Sequence, residues 1–310
     1  MLPIPVIVVN GFLESGKTFF INEGLLVDAF ALESRTLILA CEEGEEKFDT
    51  DLLEKNNIKV HFLESEEEFN EENLKRIVDL YNPNLIIIEM NGMWDLKNLR
   101  MPDFFGVEEQ ATVIDSNTFN MYFTNMRERF VDMIKYSTLI VINRCADEKN
   151  AAAIKRSLKL INQVAGYILL DNDNNEMHPA DDLPFDVKAE TIIIPDDAYG
   201  IWYIDTFDSP DRYRGKNVEF NAMIIYSHKL PARSFVAGRV AMTCCEADKR
   251  FIGHLCKARV NPTLKDKSWA RIKAKIHYAR PDDYSPEQAV LEIIEINQIK
   301  EIENPEISLM

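Results

Sequence analysis

Eight consecutive residues, Gly11-Phe12-Leu13-Glu14-Ser15-Gly16-Lys17-Thr18, spell G-x-x-x-x-G-K-T. The chemistry such a spacing supports is anion binding. Glycines let the backbone turn several N–H groups toward one phosphate, where side chains would obstruct them. Lys17 has the reach to touch a β- and γ-phosphate, and the Thr18 hydroxyl is a hard oxygen ligand for Mg²⁺. Gly11, Glu14, Ser15, Gly16, Lys17, Thr18 and Phe19 are therefore candidate contacts of a nucleoside triphosphate. Further along, acidic residues follow apolar runs. Glu42 and Asp49 lie in the segment CEEGEEKFD, and Glu89 ends the run LIIIE, with Gly92 three positions on. Carboxylates beside a phosphate site bind Mg²⁺ or move with the nucleotide, so Glu42, Asp49 and Glu89 join Thr18 as candidate Mg²⁺ ligands. Lys17, Glu89 and Asp49 are the candidate catalytic groups for phosphoryl hydrolysis. A glycine at 92 lets a backbone N–H approach a γ-phosphate closely.

These groups need rigid elements to hold them. An apolar, largely β-branched run at 4–9 precedes the glycine motif, and a helix-like apolar pattern at 19–30 follows it. That order, strand then loop then helix, is the one a phosphate-binding loop requires. Strands are expected at 36–40, 59–62, 85–89, 111–115, 138–142 and 166–170, with helical patterns at 51–56, 64–81, 116–131 and 148–164. Alternation of this kind predicts a mostly parallel sheet with helices on both faces, the α/β architecture of P-loop NTPases.

With 310 residues, 46% hydrophobic and 28% charged, the chain has material for two soluble domains. It has no apolar run long enough to cross a bilayer, and residues 1–9 are too short and uncharged for a signal peptide, so no membrane insertion is expected. Five cysteines at irregular spacing give no disulfide framework, which points to a reducing cytoplasm. The net charge of −17 is uneven: residues 200–280 carry 16 Lys+Arg against 7 Asp+Glu, and the remainder 19 against 45. Two differently charged bodies are implied, the basic one able to face an anionic partner.

The blocks GFLESGKT, CEEGEEKFD, IIIEMNG, ATVID and IVINRCAD, in that order, resemble the CobW/UreG/HypB group of P-loop GTPases over about the first 170 residues. The resemblance implies GTP (or ATP) with Mg²⁺, slow intrinsic hydrolysis, a nucleotide-dependent homodimer, and a role in delivering metal to a metalloprotein client or transporter. It assigns Lys17 to phosphate, Thr18 to Mg²⁺, Glu42 and Asp49 to a switch region, and Glu89 to the E-x-x-G segment. Asn143, Arg144 and Asp147 fall in the base-recognising N-K-x-D. Three departures stand out. The group's C-x-C-C metal motif is missing, because no cysteine lies between Cys41 and Cys145. N-K-x-D reads Asn143-Arg144-Cys145-Ala146, with Asp147 one position late, which endangers a guanine preference that depends on one carboxylate accepting two hydrogen bonds. The usual second Thr of the motif is Phe19, which removes a phosphate contact.

Residues 173–199 read as a polar, proline-punctuated linker between a P-loop GTPase domain at 1–172 and a β-rich domain at 200–310. In the latter the hydrophobic period changes to 2, with strand candidates at 218–226, 235–243, 251–258, 270–278 and 290–299, and a further one introducing them at 201–207. Five strands in this length suggest a small OB-like β-barrel. The run FVAGRVAMTCCEAD resembles the C-terminal domain of the bacterial YcgQ-like proteins. Cys244, Cys245, His254 and Cys256 are a candidate Zn²⁺ cluster, since thiolates with an imidazole suit that ion; buried, inert cysteines are the alternative. A basic barrel also admits nucleic acid or a docking protein as partner, with the nucleotide as the switch.

Overall fold

The computed structural model describes residues 3–26, 35–94, 99–179, 183–242, 249–260, 263–280 and 287–307. The chain divides into two compact units, Met1–Ala180 and Asp181–Met310. Among the described residues no helix is long and apolar enough to cross a membrane.

The first unit is built on seven strands: β1 (Ile4–Asn10), β2 (Thr36–Ala40), β3 (Lys59–Phe62), β4 (Leu85–Glu89), β5 (Phe105–Asp115), β6 (Leu139–Cys145) and β7 (Gly166–Asp171). All neighbours are parallel, in the order β3-β2-β4-β1-β5-β6-β7. Central strands of a sheet covered on both faces need apolar side chains at successive positions, and β2 and β4 are buried at every residue. Two cores result. Val6, Val8, Ile86 and Ile88 pack with Leu74 and Ile77 of the helix Glu71–Tyr81. Val9, Ile38 and Ile87 face the opposite way and pack with Ile21 and Leu26. This is the P-loop NTPase sheet. The helix after the glycine motif departs from the expected regular pattern: one α-helical turn, Lys17–Phe20, passes into a π-helical turn, Ile21–Leu25. The single helix expected at 116–131 is two, Phe119–Asn125 and Arg127–Ile134, broken where Met126 leaves helical geometry.

In the second unit the strands are β8 (Thr191–Ile193), β9 (Asn217–Ile225), β10 (Ser234–Met242), β11 (Lys249–Lys257), β12 (Trp269–Ala279), β13 (Gln288–Gln298) and β14 (Glu306–Ile307). Five of them close in the order β9-β10-β11-β13-β12 and back to β9, with β11 and β13 the parallel pair. Strict alternation carries it: Val218, Phe220, Ala222 and Ile224 of β9, and Ala270, Ile272, Ala274 and Ile276 of β12, fill the interior. The strand expected at 201–207 is instead the helix Tyr199–Asp208. It packs on four barrel strands. Tyr199 Oη donates to Ala237 O at 3.3 Å, Trp202 lies against Phe220 and His254, and Tyr278 Oη donates to Thr206 O at 2.8 Å. Tyr199, Trp202, Ile204, Asp205 and Thr206 are all buried, so the helix shows no polar stripe by which its period could be read.

Candidate functional site

The sheet register gathers three loops at one end. Val9 of β1 and Ala40 of β2 both lie beside Glu89 of β4, so the chain segments leaving these strands emerge side by side. Out of β1 the backbone enters left-handed geometry at Glu14 (φ 59°) and Gly16 (φ 95°) before the helix begins at Lys17. Gly16 is needed twice over, since a Cβ there would also meet Asn143 Nδ2 at 2.5 Å.

Lys17 is buried, and its Nζ donates to Gly11 O at 3.1 Å and Phe12 O at 2.9 Å, so the ammonium folds back over the loop. Its third partner is the Glu42 carboxylate, an ion pair with side chains 2% and 9% exposed. The other Glu42 oxygen faces the backbone N–H of Gly92, at 3.4 Å. Thr18 Oγ1 donates to Glu89 Oε1 at 2.7 Å, both residues being buried. Burial lifts the Glu89 carboxyl above the ordinary carboxylate range, partly offset by the Thr18 hydrogen bond and the charge of Lys17. A nearby cation would restore its charged form. Thr18 and Glu89 are hard oxygen donors placed together, the donor set that fits Mg²⁺.

On the other flank, Asn143 Nδ2 donates to Ser15 O at 2.8 Å. Arg144, itself left-handed at φ 53°, donates through Nη1 to Glu14 O at 2.9 Å and to Asp115 Oδ2 at 2.6 Å. Asn143 Oδ1 and Ser15 Oγ are buried polar atoms with no partner, an arrangement that leaves hydrogen-bonding capacity for a bound group. Glu14 reaches the other way, accepting from Glu45 N at 2.9 Å. Phe19 is a half-buried ring on the first helical turn.

Thus Gly11, Glu14, Ser15, Gly16, Lys17, Thr18, Glu42, Glu89, Gly92, Asn143 and Arg144 converge. Asp49 and Asp147 are placed otherwise. Asp49 caps the helix Thr50–Lys55, accepting from Leu52 N at 3.0 Å, while its own N–H donates to Asn22 Oδ1 at 3.2 Å. Asp147 is exposed and caps the helix Glu148–Lys159, accepting from Asn150 N at 2.7 Å. Two residues of the site carried no assignment in the sequence. Asp115, at the end of ATVID, holds Arg144; Asn22, within the π-helical turn, holds both Lys47 and Asp49. A strand-terminal Asp was the available signal for the first; the second has none short of tertiary contact.

In the barrel, Cys244 and Cys245 lie outside the described residues. His254 and Cys256 point to the same interior face of β11. The imidazole sits among Trp202, Tyr203 and Phe207, and burial lowers its pKa to about 3; burial likewise pushes the Cys256 thiol up, keeping it protonated. Among the described residues no three His, Cys, Asp or Glu side chains gather to hold a metal. The basic outer face of β12 is countered by its neighbours. Arg271 pairs with Glu219, Lys273 lies in register with Glu219 and Glu295, and Lys275 lies beside Glu292, which His277 also approaches at 3.2 Å. Along β12, then, the cations face carboxylates rather than standing uncompensated as phosphate binding would favour.

Residues 5–168 match the CobW/HypB/UreG nucleotide-binding domain, and residues 169–307 match the DUF1980 C-terminal domain. Among solved structures, hydrogenase maturation factor HypB from Archaeoglobus fulgidus is 19% identical with a TM-score of 0.39, covering 56% of this chain and 84% of its own. The Zn(II)-bound YjiA GTPase from E. coli is 14% identical with a TM-score of 0.39, covering 87% and 92%. A mitochondrial single-stranded DNA binding protein from S. cerevisiae is 10% identical with a TM-score of 0.19, covering 28% and 96%. No curated protein matches.

Proposed function

The chain belongs to the CobW/HypB/UreG nucleotide-binding family, and from that premise we propose that it hydrolyses GTP, with Mg²⁺, to gate the delivery or insertion of a metal into a client protein. The observation that carries the nucleotide part is Lys17 folded over the Gly11 and Phe12 carbonyls beside the Thr18–Glu89 pair. The loop N–H groups and the start of the helix after Gly16 receive the β-phosphate, and the Lys17 ammonium spreads over the β- and γ-oxygens as negative charge shifts toward the leaving diphosphate. Mg²⁺, held by the Thr18 hydroxyl with Glu89 orienting its water, would neutralise the same oxygens. Water attacks the γ-phosphorus, the bond to the β-bridging oxygen breaks, and GDP and phosphate result. Asn143 and Arg144 brace the outside of the loop, so a base seated near them is coupled to the phosphates through Ser15 and Glu14. The metal part rests on the family and on the pairing with a second unit, not on a ligand set within the described residues.

Two measurements test it. GTP with Mg²⁺ is expected to raise the melting temperature of the full chain, and Lys17→Ala to abolish that rise; no shift with GTP or ATP would end the nucleotide reading. Protein loaded with Zn²⁺, Ni²⁺ or Co²⁺ is expected to release metal to a chelator faster while hydrolysing GTP than with a non-hydrolysable analogue. Equal release rates would leave a GTPase with no role in metal gating.

A further inference from the structure

Glu42 bridges two donors at the edge of the glycine loop. Its two carboxylate oxygens face two donors at once, the Lys17 ammonium and the Gly92 backbone N–H. Those are the two groups that a γ-phosphate would engage beyond the β-phosphate cradle: the lysine that bridges β and γ, and the N–H of the E-x-x-G segment. A carboxylate is a planar, singly charged counterpart of one face of a phosphoryl group. Because the Glu42 side chain is only 9% exposed and Lys17 2% exposed, the pair is shielded from solvent screening.

We infer that Glu42 is the residue that discriminates triphosphate from diphosphate, by acting as an internal anion that a γ-phosphate must displace and a diphosphate need not. The inference rests on the nucleotide site proposed above. A nucleoside diphosphate fills the loop between Gly11 and Thr18 while Glu42 keeps its two donors. A triphosphate brings a second anion into the same space, and two like charges cannot share one ammonium and one N–H, so Glu42 leaves. Its departure is not local. Glu42 opens the segment whose Glu45 N–H is tied to Glu14 and whose Asp49 N–H is tied to Asn22, so expelling the carboxylate pulls on a loop anchored to the phosphate site at both ends.

The test is direct binding of a non-hydrolysable GTP analogue and of GDP, each with Mg²⁺, to the full chain and to Glu42→Gln. Gln keeps the shape and removes the charge. Analogue affinity is expected to rise about tenfold or more in the variant, with GDP affinity changing less than about threefold. GDP binding serves as the control for a folded site. If both affinities change by the same factor, or if the variant loses GDP while the parent binds it, Glu42 supports the site rather than occupying the phosphate position, and the inference is overturned. If the parent binds neither nucleotide, the nucleotide site itself is refuted and this inference goes with it.

Discussion

Gly92 carries a sharper consequence than its place in E-x-x-G suggests. A Cβ at residue 92 would lie 2.3 Å from the Gly11 carbonyl oxygen and 2.7 Å from Phe12 Cα. Its φ lies outside the left-handed region, so the backbone itself accepts alanine and the effect of Gly92→Ala is steric alone. Restoring ordinary contact requires the two backbones to part by about 1 Å. The displaced atoms are those that hold Lys17, through Gly11 O and Phe12 O. Overpacking of this kind costs about 1–3 kcal/mol of stability. A misplacement of about 1 Å in a binding constellation is worth roughly a hundredfold in function. In a thermal-shift titration at a nucleotide concentration 100 times the parental dissociation constant, the parent gains about 2.7 kcal/mol. A variant binding a hundredfold more weakly gains only about 0.4 kcal/mol.

The number of phosphates on the nucleotide separates a steric effect from a lost γ-phosphate contact. If Gly92 matters because its N–H meets a γ-phosphate, alanine weakens triphosphate and spares diphosphate. Displacement of Gly11 and Phe12 damages the β-phosphate cradle, so GDP and GTP affinities should fall together. Parental affinity for both nucleotides in a folded Gly92→Ala protein would refute the steric argument, and a loss confined to GTP would replace it with the other.

Asp147→Ala should lower stability by about 1 kcal/mol through the lost helix cap and leave the ratio of GTP to ATP affinity unchanged; a collapse of that ratio would make Asp147 the base reader instead. His254 is held neutral in the barrel with its pKa lowered to about 3, whereas the unfolded chain protonates it near its ordinary 6.5. Stability contributed by the neutral form is therefore present above that ordinary value and lost as pH falls toward 3, by up to about 1.4 kcal/mol per pH unit. Urea unfolding followed by the fluorescence of Trp202, whose ring lies 4.9 Å from the imidazole, should show a shallower acid slope in His254→Phe, and an unchanged slope would contradict the assignment.

What could be read along the chain follows from how far each signal reaches. Short-range signals served well: the glycine motif fixes a turn within eight residues, LIIIE marks a strand buried on both faces, and alternation in β9 and β12 marks barrel strands. The helix Tyr199–Asp208 was illegible because it is buried around most of its circumference, which erases the period. Asp147 was ambiguous because an Asp followed by Glu148, Lys149 and Asn150 reads equally as a helix cap and as a displaced base reader, and the Asn150 hydrogen bond that makes it a cap leaves no trace in the local pattern. Lys17 with Glu42, and Asn22 with Asp49, are pairings between residues about 25 apart on different elements, and no local pattern announces them.

Acidic side chains outnumber basic ones around the glycine loop. Among the described residues Lys17 and Arg144 are the cations in direct contact with it; Glu14 belongs to the loop itself, Glu89 is bonded to its Thr18, and Glu42 and Asp115 pair with the two cations. A site built to hold a polyphosphate is thus lined by more carboxylate than ammonium, in a chain whose net charge is already −17. A bare polyphosphate entering such a lining meets net repulsion, and the backbone N–H groups alone must offset it. Two changes would remove that repulsion: a divalent cation arriving with the nucleotide, which would compensate Glu89 and the phosphates together, and the proposed departure of Glu42 from Lys17. Both are coupled to the same occupant. Each of the two cations thus already has a carboxylate partner, Lys17 with Glu42 and Arg144 with Asp115, and on the displacement proposed above the acids that look unsuited to phosphate binding are what would make occupancy of the site register as a rearrangement of the segment that begins at Cys41.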